Sequence, residues 1–138
     1  MKINIHRLDS GFHFEASNAA NVKLQMDASA AAGGNNNGFT PVEALVASLG
    51  GCSGIDVISI LNKQKQKIDD FNVEIEANRA QDQIPAIVTD VHLKFILKGA
   101  IDEGKLDRAI KLSLDKYCTV ARMIGATTKI TYSYIVNK

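Results

Sequence analysis

Cysteine is scarce in this chain. Its 138 residues carry only Cys52 and Cys118, so no disulfide framework staples the fold, and without a CxxC pair no zinc-ribbon pattern exists. The three histidines, His6, His13 and His92, lack ligand-like spacing, and no metal site is expected. An excess of charge is missing as well. Sixteen Lys and Arg against 15 Asp and Glu leave a net charge of +1, which argues against nucleic acid or an anionic membrane as partner. The N-terminal stretch MKINIHRLDSGFHF has no continuous apolar run. Neither a signal peptide nor a membrane anchor is therefore expected, and cytoplasmic residence is the default. There is no Walker-type lysine loop, no GxGxxG and no GxSxG, which removes the common phosphate, dinucleotide and hydrolase signatures, so no cofactor is expected.

What is present reads as one domain over residues 1–138, long enough to bury a core without staples. Ile3 and Ile5, Phe12 and Phe14, then Val22, Leu24 and Met26 recur every second residue and predict three short strands. The stretch ASAAAGGNNNG that follows is too small and polar to pack and reads as a mobile connector. A helix then begins with Thr40 as N-cap, Pro41 at its first position and Glu43 completing a capping box. Its apolar residues, Leu45 to Leu61, cover more than one stripe, so a largely buried central helix is expected, closed by Lys63, Lys65 and Lys67.

Two further strands follow, FNVEIEA and VTDVHLKFILK. The second sets Val91, Leu93, Phe95 and Leu97 on one face, with His92 and Lys94 on the other. Asp102 caps a second helix in which Leu106, Ile110, Ser113 and Tyr117 share a side, and Gly125 stops it. The chain closes with KITYSYIV, whose Ile130, Tyr132, Tyr134 and Val136 alternate. Strands, helix, strands, helix, strand is an α+β order.

Chemistry centres on Cys52. Gly50, Gly51 and Gly54 crowd around it although each costs a helix interior about 1 kcal/mol relative to alanine, so a close approach to the backbone is expected there. A thiol needs a cation to act as thiolate at neutral pH, and Arg7, Arg79 and Arg122 are candidates. Asp56, one turn after Cys52, would oppose ionisation. Arg122, four residues beyond Cys118, would favour it there. Both cysteines also fit as small buried hydrophobes. Glu43, nine residues before Cys52, points to the opposite side of the helix and has a sufficient task as a cap.

The proline-led helix with LGGCSGIDVISIL, followed downstream by DKYCTVARMI, resembles the OsmC/Ohr family of osmotically inducible and organic hydroperoxide resistance proteins over nearly the whole chain. It is most similar to the OsmC-like branch carrying GGC-S/T-x-IDV. The resemblance implies an α+β fold with antiparallel sheets wrapped around two long central helices, and an intertwined homodimer. It also implies a peroxidase in which Cys52 attacks the peroxide and becomes a sulfenic acid, Cys118 resolves it as a disulfide, and an external dithiol resets the pair. The chain departs from the reductase pattern in one place: Val42 follows Pro41 where a glutamate is usual, and Glu43 stands one position later. Two alternatives stand beside this function. One is a non-catalytic protein holding an apolar small molecule beside Gly50 and Gly51; the other is a redox sensor without turnover.

Overall fold

The computed structural model describes residues 1–138, which form two compact units, Met1–Leu45 and Val46–Lys138. In the first, β1 (Asn4–Arg7), β2 (Phe14–Ser17) and β3 (Lys23–Met26) make an antiparallel sheet in that order, as the two-residue alternation predicted. Arg7, one of the candidate cations, spends its guanidinium on the connection from β1 to β2: Nε donates to the Gly11 carbonyl at 2.8 Å, and a second N–H donates to the Ser10 carbonyl.

The stretch expected to be a mobile connector has a polar centre. The Asp27 carboxylate, 2% exposed, accepts backbone N–H bonds from Ala28 at 2.7 Å, Asn35 at 3.2 Å and Asn37 at 3.1 Å. These bonds, the one from Asn37 foremost, hold its carboxyl below the usual carboxylate range. Nothing in a run of alanines, glycines and asparagines marks the aspartate immediately before it as its organiser.

Helix α1 spans Pro41–Lys63. Its capping box is reciprocal: the Thr40 N–H donates to Glu43 Oε1, and the Glu43 N–H donates to Thr40 Oγ1, both at 3.2 Å. The helix ends two residues before the second of the three lysines expected to close it. Lys65 takes a left-handed φ of 56°, the Lys65 N–H reaches the Asn62 carbonyl, and the Gln66 N–H reaches that of Leu61. This is the αL stop usually given to glycine. Lys67 already opens the next strand.

In the second unit β4 (Lys67–Arg79), β5 (Val88–Ala100) and β6 (Lys129–Asn137) form a sheet in that order. The sheet is mixed, where antiparallel sheets were implied. β4 and β5 are antiparallel, whereas β6 lies parallel to β5 because the helices between them carry the chain back to the starting end. Phe71, Val73 and Ile75 pair with Leu97, Phe95 and Leu93, which pair in turn with Val136, Tyr134 and Tyr132. One face of the sheet is thus apolar, and Val91, Leu93, Phe95 and Leu97 on it are at most 1% exposed. The opposite face is polar; there His92 bonds to Thr131 and Ser133 at 2.7 and 2.9 Å, which gives this histidine a structural partner.

The glycine side of α1 packs on β4. A Cβ on Gly50 would lie 2.5 Å from Ile75 Cδ1, which bears out the close approach there, whereas one on Gly54 would lie 3.4 Å from Phe71, an ordinary packing contact. A Cβ on Gly51 meets nothing within 4 Å. The expectation of a largely buried helix also fails within one chain. Leu49, Ser53, Val57 and Leu61 are buried, while Ile55 is 72% exposed, because the sheet covers only one side. By length and composition α1 could cross a bilayer, yet its buried side is the core of this unit.

The second helix is interrupted. α2 (Glu103–Leu112) starts at the Asp102 cap, which accepts the Lys105 N–H at 2.8 Å. A π-helical turn, Ser113–Tyr117, follows, and α3 (Thr119–Ile124) is a separate short helix ending at Gly125. Tyr132 donates to Asp107 at 2.7 Å, tying β6 to α2. Burial and that bond push the tyrosine hydroxyl up to about 12.

A paired-thiol site on the glycine-rich helix

The interruption between α2 and α3 brings the second thiol to the first. Cys118 has extended backbone angles, φ −71° and ψ 108°, and is the N-cap of α3; its Sγ accepts the Ala121 N–H at 3.3 Å. Its own N–H reaches back to the Ser113 carbonyl at 2.7 Å, closing the π turn. Such single-turn π insertions are costly and are often kept where a side chain must be re-aimed. Cysteine is an unusual cap and a run such as DKYCTVARM looks evenly helical, so the break could not be read from the sequence.

On α1, Cys52 and Asp56 are four residues apart and share a side. Cys52 Sγ, Cys118 Sγ and an Asp56 carboxylate oxygen all lie within 4.8 Å of one another. Ser113, wholly buried, donates its hydroxyl to Asp56 Oδ2 at 2.9 Å and so orients the carboxylate. The sequence assigned Ser113 only to an apolar helix face and missed this contact; a hydroxyl among Leu106 and Ile110 was the available signal. Ser53, also buried, is satisfied by the Leu49 carbonyl at 2.9 Å, within the helix.

The two sulfurs differ. Cys52 is half-buried, whereas Cys118 is 2% exposed. Burial above all, opposed by the Ala121 N–H and reinforced by the Cys52 thiol and the Asp56 charge, pushes the Cys118 thiol up to about 11. That reverses the effect expected from Arg122, which lies on the exposed side of α3. Arg79, the third candidate cation, donates to the Ala86 carbonyl at 2.9 Å beyond the far end of β4. The group beside the thiols is therefore an anion, Asp56. Two openings flank α1. A groove of about 420 Å³ runs between its glycine side and Phe71, Val73 and Ile75. A cavity of about 500 Å³ is lined by Asp56, Ile60, Lys63, Leu112 and Tyr117.

Comparison with known proteins identifies the family of the chain. The OsmC-like protein family matches residues 33–133, a span that includes both cysteines. Protein YhfA of Escherichia coli K12 is 34% identical over 127 residues, 91% of each chain. A hypothetical protein from Aquifex aeolicus VF5 superposes with a TM-score of 0.84 at 27% identity, over 99% of this chain and 95% of that one. The Legionella pneumophila protein named an organic hydroperoxide resistance protein OsmC shares the fold at a TM-score of 0.73, with 15% identity over 99% and 96% of the two chains. This chain, with its paired thiols on an α+β frame, belongs to the OsmC-like protein family.

Proposed function

We propose that this chain is a single-domain, thiol-dependent peroxidase that reduces organic hydroperoxides or hydrogen peroxide, with Cys52 as the attacking sulfur and Cys118 as the resolving one. The observation that carries this is the approach of the two sulfurs within 4.8 Å, which makes them neighbours although a disulfide still requires them to close to about 2 Å. Their unequal environments suit the two roles. The half-buried sulfur meets peroxide; the buried one stays a thiol until its neighbour is oxidised.

In the first step the Cys52 thiolate attacks the terminal peroxide oxygen. The S–O bond forms, the O–O bond breaks, and the alkoxide leaves with a proton to give an alcohol and the Cys52 sulfenic acid. Cys118 then attacks the Cys52 sulfur, the S–S bond forms and the S–O bond breaks, and the departing hydroxide takes up the Cys118 proton as water, with the Asp56 carboxylate, within 4.8 Å of both sulfurs, as the proposed relay for that proton. An external dithiol reduces the disulfide and is itself oxidised. The name of the Legionella relative, which ties that protein to organic hydroperoxides, supports this substrate class.

The assembly in this proposal is a homodimer in a reducing, cytoplasmic setting. A second copy would cover the exposed side of α1 and α3, where Ile55 and Met123 are each 72% exposed and Gly51 leaves room for a close approach. Steady-state consumption of an organic hydroperoxide with a dithiol tests the function. Wild type should turn over and Cys52→Ser should not. Equal background consumption by both would end the peroxidase account and favour a small-molecule-binding protein.

A further inference from the structure

We infer that Cys52, Cys118 and Asp56 also form a three-donor site for a borderline-soft divalent metal ion of the zinc class, and that this ion regulates the thiol pair by competing with its oxidation. The donors are of the right kind, two sulfurs and one carboxylate oxygen, and come from two separate elements, α1 and the N-cap of α3. Tetrahedral zinc at about 2.3 Å from sulfur and 2.1 Å from oxygen sets its ligands about 3.6–3.8 Å apart. From separations of at most 4.8 Å the donors need to close by about 1 Å. That is less than the closure a disulfide demands between the same sulfurs.

Three further features fit an ion. Ser113 Oγ donates to Asp56 Oδ2 at 2.9 Å, the outer hydrogen bond that aims a ligating carboxylate. No Lys, Arg or His forms an ion pair with Asp56, so the cluster has acidic donors without a cation. The cavity of about 500 Å³ that Asp56 lines brings solvent to the carboxylate side of the cluster. On binding, both thiols release their protons, each sulfur gives a lone pair to the ion, and no electron is transferred. A bound ion ties up both sulfurs, so metal and disulfide exclude one another. Protection against peroxide rests on the peroxidase proposal; metal binding does not.

The test uses the full, reduced chain without peroxide. Co²⁺ should bind one ion per chain with a thiolate-to-metal charge-transfer band, and Zn²⁺ should displace it. Cys118→Ser should weaken the band and the affinity, Asp56→Asn should lower affinity tenfold or more, and Ser113→Ala by about tenfold. One equivalent of Zn²⁺ should slow modification of Cys52 by an aromatic disulfide. A wild-type chain with no charge-transfer band overturns the site, as does a band indifferent to both Cys118→Ser and Asp56→Asn. Loss of peroxide turnover with the band intact would end the peroxidase proposal alone.

Discussion

The reactivity of Cys118 follows from its surroundings and can be worked out before it is measured. In the folded chain its thiol is pushed from 9.0 to about 11, chiefly by burial. Below pH 9 that leaves about 100-fold less thiolate than an unfolded thiol has. The more basic thiolate is intrinsically the better nucleophile, which returns about tenfold at a Brønsted slope near 0.5. Native Cys118 should thus react with a small aromatic disulfide about tenfold more slowly than the same residue in denaturant. Its 2% exposure adds a steric barrier, so this factor is a lower bound. The assay is timed modification at several pH values, with the Cys118 peptide followed by mass spectrometry. The native rate should still be climbing at pH 10, whereas the unfolded rate levels near pH 9. A native Cys118 that matches the unfolded rate and plateaus below pH 9 would refute the argument. The sign for stability is fixed by the same shift: because the folded value is raised, the contribution is complete below about pH 9 and is lost as pH rises toward about 11.

Other outcomes can be checked independently. The depressed carboxyl of Asp27 stabilises the fold above the unfolded carboxylate value and is lost as pH falls through its folded one; Asp27→Asn should flatten the acid side of a stability-against-pH curve, and an unchanged acid limb would remove its assigned role. Lys65→Gly relieves a left-handed residue at φ 56° and should add about 1 kcal/mol, read as a rise of about 0.5 M in urea midpoint at a slope near 2 kcal/mol/M. No rise would show that the lysine is unstrained there. Gly50→Val drives a branched side chain into Ile75, 2.5 Å from the new Cβ, and should cost about 1–3 kcal/mol in thermal or urea melts; a neutral result would mean that α1 and β4 are not tightly packed.

Much of the frame was legible because short-range patterns set it. Alternation at Val91, Leu93, Phe95 and Leu97 located β5 and its buried face, and Thr40, Pro41 and Glu43 fixed the start of α1 through their own backbone bonds. Long-range features were not legible. The break at Cys118 depends on a π turn closed by the bond from the Cys118 N–H to the Ser113 carbonyl, and the raised thiol depends on burial by elements far apart in sequence. The three glycines looked alike in sequence, yet only Gly50 and Gly54 touch β4, since a helix presents successive residues 100° apart. The cysteine positions were carried by motif resemblance; their mutual distance came only from the fold.

The central claim is that Cys52 is oxidised first and Cys118 resolves it. The most direct measurement is mass spectrometry of the reduced chain after one equivalent of an organic hydroperoxide, in wild type and in Cys118→Ser, with a sulfenic-acid trap present. The account predicts an intramolecular Cys52–Cys118 disulfide in wild type, and trap adduct on Cys52 alone once the resolving thiol is gone. Trap adduct on Cys118 in a Cys52→Ser chain at the wild-type rate, or two thiols still free in wild type after peroxide exposure, would contradict it.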